Sequence, residues 1–133
     1  MDLQKMQNTY DVAVIGAGVF GAWTAWHLAK RGQRVALLEA YGPGHSRASS
    51  GGETRIIRMG YGADELYTRW SERSLAEWKD FLGSVRQPLL LETGVLWMAG
   101  KDDVRLRQTA ATLKRCGINF VEYDRASLEK RYP

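Results

Sequence analysis

A glycine-rich turn, one strand-terminal acid and two arginines are the residues of this sequence with the clearest chemical use. Gly16-Ala17-Gly18-Val19-Phe20-Gly21 follows directly on the apolar run Val12-Ala13-Val14-Ile15. Gly16 permits a tight turn out of a strand, and Gly18 leaves bare backbone for a pyrophosphate to approach. Gly21 lets a helix pack close to a sheet. The free N–H groups and dipole at that helix start favour a phosphate there. Glu39 closes a second apolar run, Arg34-Val35-Ala36-Leu37-Leu38. A carboxylate in that place accepts hydrogen bonds from both hydroxyls of an adenosine ribose and repels a 2′-phosphate, which disfavours NADP. Further on stand Arg55 and Arg58. A guanidinium forks onto a carboxylate in bidentate fashion, and it also stabilises negative charge on a reduced cofactor. The competing reading is that each only pairs with a nearby acid such as Glu53 or Asp64.

These residues need a strand over 10–16, a helix from Val19 to Arg31 stopped by Gly32, and a strand over 34–39. Both strands are nearly all apolar, the pattern of strands buried on both faces of a parallel sheet. A helix capped by Asp64 is expected to reach Leu82, with Leu66, Trp70, Ser74, Trp78 and Phe81 near one face. Leu89–Leu91, Gly94–Ala99 and Asn119–Tyr123 read as strands. Asp102 or Asp103 caps a helix to about Arg115, ended by Gly117, with Leu106, Ala110 and Leu113 at helical spacing. Asp124 caps a last helix reaching Tyr132. The fold class is α/β, a Rossmann-like domain with a parallel sheet over 1–88. Residues 89–133 read as the beginning of a second, substrate domain.

Composition excludes little. The chain has 133 residues and a formal net charge of +4, with no long run of like charge to suggest nucleic-acid binding. Its single cysteine, Cys116, cannot form an intrachain disulfide, so a reducing, cytoplasmic setting is the default expectation. Cys116 itself reads as a buried or neutral thiol. No stretch is apolar for long enough to span a membrane, and the first nine residues read as a short disordered lead. No cluster of His, Cys, Asp and Glu has metal-ligand spacing. His27 reads as packing or solvated, and His45 as a candidate contact for cofactor phosphate. The tryptophans at 23, 26, 70, 78 and 97 read as core or partly buried faces rather than stacking platforms.

The stretch from Tyr41 to Thr54 separates FAD from NAD. A simple NAD domain continues with another helix and a third parallel strand. Here the chain makes a glycine- and serine-rich excursion, Gly42-Pro43-Gly44-His45-Ser46-Arg47-Ala48-Ser49-Ser50-Gly51-Gly52, leading into Glu53-Thr54-Arg55. Such a loop leaves the carboxyl end of a sheet strand, where ligands bind in open α/β folds, and can cover a pyrophosphate and a ribityl chain. That favours FAD.

Tyr10–Glu39, the run Ser49-Ser50-Gly51-Gly52-Glu53-Thr54-Arg55-Ile56-Ile57-Arg58, then Tyr61-Gly62, Glu92-Thr93-Gly94-Val95-Leu96 and Lys130-Arg131-Tyr132-Pro133 together resemble the N-terminus of the D-amino-acid oxidase superfamily. Within it, the monomeric sarcosine oxidase and N-methyltryptophan oxidase group is most similar. The resemblance implies an FAD-dependent oxidoreductase that oxidises a secondary amine or amino acid by hydride transfer to flavin, with O2 or another acceptor. It implies that Gly16, Gly18, Gly21 and Glu39 hold the ADP half of FAD, and that Ser49, Ser50, Thr54 and Arg55 lie along the flavin side. Ala17, Val19 and Phe20 complete the cofactor turn. Arg55 would stand close to the flavin ring, and Arg58 would bind the substrate carboxylate.

The sequence departs from that pattern at Ser50 and Gly51, where the sarcosine oxidase group has paired histidines, so sarcosine specificity does not carry over. The chain has roughly a third of the family's length. It is therefore expected to be the N-terminal part of something longer. The family's oxygen-assisting lysine, its flavin-linking cysteine and most of its substrate site lie downstream. A nicotinamide-dependent dehydrogenase domain, or a non-catalytic truncated fragment, are the alternatives.

Overall fold

In a computed structural model of the chain, residues 9–100 and 102–133 are described. The first eight residues of the expected nine-residue lead lie outside them. Six elements follow in order: β1 (Val12–Ile15), α1 (Val19–Lys30), β2 (Val35–Leu38), α2 (Glu65–Val85), α3 (Val104–Cys116) and α4 (Arg125–Arg131). They divide into two units, residues 1–55 and residues 56–133.

The first unit is a strand–helix–strand crossover. β1 and β2 pair in parallel, with Val12 opposite Val35 and Ile15 opposite Leu38. The strand starts are locked by an exchange between Asp11 and Arg34. The Asp11 N–H donates to the Arg34 carbonyl at 2.8 Å, and the Arg34 N–H donates to Asp11 Oδ2 at 2.8 Å. The Arg34 guanidinium then reaches Asp11 Oδ1 at 2.9 Å. α1 packs on both strands, with Ala25 buried. The strands themselves are not buried on both faces, as their composition suggests they should be. The described sheet has two strands and one covering helix, so Ile15 is 87% exposed and Leu37 and Leu38 lie open.

The second unit is built on α2 against α3. Its buried groups are mostly threonines, held by hydrogen bonds rather than by size. Thr68 is fully buried on α2, and its hydroxyl donates to the Met59 carbonyl at 2.9 Å. Thr109 on α3 accepts from the Gly62 N–H at 3.0 Å. Gly60 is tightly enclosed in this unit: a Cβ there would meet Thr109 Cγ2 at 3.0 Å. Glu65 at the start of α2 pairs with Arg69 at 2.7 Å and with Arg115 of α3 at 3.3 Å. Both arginines hold its carboxyl below the usual range, Arg69 foremost.

The expected caps of α3 and α4 are present. Asp103 accepts from the Leu106 N–H at 2.6 Å and Asp124 from the Ser127 N–H at 2.8 Å. Asp64 occupies the cap of α2 without a side-chain cap bond. Two expectations need correction. On α2, Leu66, Trp70 and Ser74 are exposed, while Trp78 and Phe81 do lie on the less exposed side, together with Thr68, Ser71, Leu75 and Leu82. The turn of the inward side toward Thr68 fits its buried hydroxyl, which is bonded to the Met59 carbonyl. Leu89–Leu91, Gly94–Ala99 and Asn119–Tyr123 are not strands. A strand needs a hydrogen-bonded neighbour, and among the described residues none pairs with these segments.

Candidate functional site

The expected glycine turn is formed by the first unit. Gly16 leaves β1 with φ +94°, a conformation that side chains rarely adopt. Its N–H donates to the Leu38 carbonyl at 2.7 Å, which extends the sheet by one bond into the turn. α1 then comes so close that a Cβ on Gly21 would lie 1.8 Å from the Gly16 carbonyl oxygen. No side chain fits there. A Cβ on Gly18 would meet nothing within 4 Å, so the open space of the turn lies on that side. Gly18 caps α1 with no side-chain bond. The N–H groups of Val19, Phe20 and Gly21 therefore begin a helix of 12 residues with no intrahelical acceptor. Bare backbone, unclaimed donors and a helix start fit a pyrophosphate. Phe20 is 88% exposed and lies at the rim of this turn.

Glu39 is more closely tied than its strand-end position implies. Its Oε2 accepts the Ala17 N–H at 2.7 Å and its Oε1 accepts the Tyr41 N–H at 3.1 Å. His45 Nε2 lies 3.2 Å from Oε1. The Ala17 and Tyr41 bonds, in that order, hold the carboxyl below its usual range, and His45 adds to them. Glu39 is thus a bolt between the end of β2 and the glycine turn. A carboxylate has about four lone-pair positions, so Oε2 keeps capacity for a ribose hydroxyl.

His45 is engaged by three neighbours. Its ring stands against Glu39, stacks edge-on with Tyr41 at 5.2 Å between centroids, and accepts the Arg47 N–H on Nδ1 at 3.1 Å. Arg47 lies 4.6 Å over the Tyr41 ring and donates to its hydroxyl at 2.8 Å. Tyr41 and Arg47 are not singled out by the sequence patterns. An aromatic two residues past the strand acid is the available signal. Through His45 the glycine-serine loop is folded back onto the strand end that carries Glu39.

Beyond this the loop makes two turns, Ala48 N–H to the His45 carbonyl at 3.1 Å and Gly51 N–H to the Ala48 carbonyl at 3.0 Å. Ser49, Ser50 and Thr54 are exposed along it. Arg55 closes the loop. Its Nε donates to the Ser50 carbonyl at 2.9 Å, and its guanidinium also bonds the Gly51 carbonyl. The alternative partner, Glu53, is not used. The structure therefore brings together Gly16, Ala17, Gly18, Val19, Phe20, Gly21 and Glu39. It places Ser49, Ser50, Thr54 and Arg55 on the loop leaving that strand end.

Arg58 belongs to the second unit. Its guanidinium carbon lies 5.1 Å from the Tyr61 ring centroid and 5.7 Å from that of Trp97. Among the described residues of that unit no carboxylate pairs with it, Asp64 included. Trp97 is 44% exposed and packs over Gly60, not in a core. Cys116 is half-buried and free. Among the described residues no group of His, Cys, Asp and Glu is arranged to hold a metal ion, and no helix is long and apolar enough to cross a membrane.

The family model described as FAD dependent oxidoreductase matches residues 11–133. The chain is 37% identical over 124 residues to peroxisomal sarcosine oxidase of Mus musculus, covering 93% of this chain and 32% of that protein. It is 35% identical over 131 residues to peroxisomal sarcosine oxidase of Homo sapiens, covering 98% and 33%. To N-methyl-L-tryptophan oxidase of Salmonella arizonae it is 29% identical over 124 residues, covering 93% and 33%. The chain spans about a third of the length of these curated relatives.

Proposed function

This chain belongs to the FAD dependent oxidoreductase family, and from that premise we propose that it is the FAD-binding portion of an enzyme that oxidises a small secondary amine or amino acid. The observation that carries the proposal is the enclosed glycine turn bolted to Glu39, with Val19, Phe20 and Gly21 presenting N–H groups at the start of α1. In this reading Gly16, Gly18 and Gly21 admit the pyrophosphate, and Glu39 takes a ribose hydroxyl on Oε2. Ser49, Ser50 and Thr54 offer hydroxyls along the rest of the cofactor. Arg55 keeps the loop folded by holding the Ser50 and Gly51 carbonyls, and it brings positive charge to the flavin side. The FAD-binding part is taken as residues 1–88 and the start of a substrate domain as 89–133.

Bound FAD supplies a two-electron acceptor for hydride from the carbon next to the amine nitrogen. Arg58 supplies the cation for a substrate carboxylate. Its freedom from any acid of its own unit supports that role, since an arginine already paired with Asp64 would have to be released first. In the full-length enzyme the electrons taken up by the cofactor would pass on to O2 or another acceptor. The relatives named for sarcosine and N-methyltryptophan support a small secondary amine or amino acid as the substrate class.

The test is the protein expressed from its complete reading frame. A yellow product with flavin absorbance and N-methylamine-dependent peroxide is expected. Arg58→Gln is expected to raise KM for a carboxylate-bearing amine about tenfold or more, since a charge-assisted bidentate pair is lost. A flavin-free protein that consumes NAD would contradict the proposal.

A further inference from the structure

Arg58 is exposed, has no acid partner among the described residues of its unit, and yet is not loose. Tyr61 and Trp97 both lie within cation–π range of its guanidinium, at 5.1 and 5.7 Å. Tyr61 stands three residues on in the same segment. Trp97 arrives from the irregular stretch between α2 and α3, far along the chain. What fixes Trp97 is the backbone at Gly60: a Cβ there would lie 3.5 Å from both Cε2 and Cζ2 of the indole. Gly60 is itself pressed against Thr109 of α3. The chain of contact is thus α3, Gly60, Trp97, Arg58. An otherwise unrestrained arginine carries a large rotamer entropy, much of which is lost when it binds. A cation–π contact uses no hydrogen-bond donor, so the N–H groups of the guanidinium stay available to a ligand.

We propose that Tyr61 and Trp97 are positioning residues that hold Arg58 ready for a carboxylate ligand. This rests on the reading of Arg58 as the carboxylate-binding group. The ligand class is a small organic carboxylate, and the rings act on its affinity through Arg58 rather than by contact with the amine. The indole, as the stronger cation–π partner, carries the larger share.

Equilibrium dialysis of radiolabelled acetate against the flavin-loaded, full-length protein tests it, with propylamine as a probe lacking the carboxylate. Arg58→Gln is expected to weaken acetate at least about tenfold. Trp97→Leu and Tyr61→Leu are each expected to weaken it about two- to fivefold, while Trp97→Phe and Tyr61→Phe stay within about twofold of the parent. Propylamine binding is unchanged throughout. Acetate binding that is absent, or indifferent to Arg58→Gln, overturns the reading of Arg58 and the inference with it. A loss in Arg58→Gln with parental affinity in both leucine variants overturns the inference alone. Because Trp97→Leu also removes packing over Gly60, a second measurement uses the unsubstituted protein. The Arg58 Nε–H resonance, assigned by Arg58→Lys, is expected to be shifted upfield by the two rings. A random-coil position would contradict the proposal.

Discussion

At the scale of single residues, Glu39 carries more than its motif assigns to it. The motif calls for a carboxylate that waits for a ribose. The structure shows one that also binds the turn it faces, through the Ala17 N–H, and the loop that follows, through Tyr41 and His45. Its folded-state affinity for a proton is lowered by those N–H groups, Ala17 first. The sign of the consequence is fixed. A carboxyl with a depressed folded pKa stabilises the protein above its unfolded pKa, and that stabilisation is lost as pH falls through the folded value. The midpoint of urea unfolding is therefore expected to drop between about pH 5 and pH 3 more steeply in the parent than in Glu39→Gln. Parallel pH profiles for the two proteins would show that the Glu39 bonds do not persist in solution. None of this is legible from position 39 alone, because the partners depend on where the loop returns. Arg55 and Arg58 make the same point. Their type and spacing mark both as anion ligands, yet Arg55 is occupied by two loop carbonyls and Arg58 by two rings.

Among the elements, local signals are reliable where they can be satisfied locally. α1 and the caps of α3 and α4 depend on residues within a few positions of one another, and the two strands and the glycine turn need only one short crossover to meet. Asp103 is an instance: its carboxylate holds the Leu106 N–H, which has no intrahelical acceptor. Asp103→Ala is expected to cost about 1 kcal/mol in thermal or chemical unfolding, and Asp103→Asn much less. Equal losses for both would indicate that charge, not the cap bond, matters. The misreadings fall on segments whose structure depends on distant partners. Leu89–Leu91, Gly94–Ala99 and Asn119–Tyr123 have strand composition but no ladder among the described residues. Trp70 and Leu66 have helical spacing, yet α2 turns a threonine inward, because Thr68 finds the Met59 carbonyl. Side-chain hydrogen bonding outweighs apolar area there, which periodicity does not register.

For the whole molecule, two units carry the two candidate features: the glycine turn in residues 1–55, and an aromatic-flanked cation in residues 56–133. The exposed apolar surface of Ile15, Leu37 and Leu38 in a two-stranded sheet, with a span of about a third of its relatives, makes cofactor affinity the property to measure first. On the proposed function, this chain's glycine turn binds FAD. Titration of flavin-free protein with FAD, followed by quenching of flavin fluorescence, tests it most directly, with NAD as competitor and Gly21→Ala as control. A Cβ at Gly21 would strike the Gly16 carbonyl, so that variant is expected to lose about 1–3 kcal/mol or more of stability and most of its FAD affinity. Saturable one-to-one binding of FAD that excess NAD does not displace, and its loss in Gly21→Ala, is the expected result. A folded protein that leaves FAD free, or gives it up to NAD, would contradict the claim.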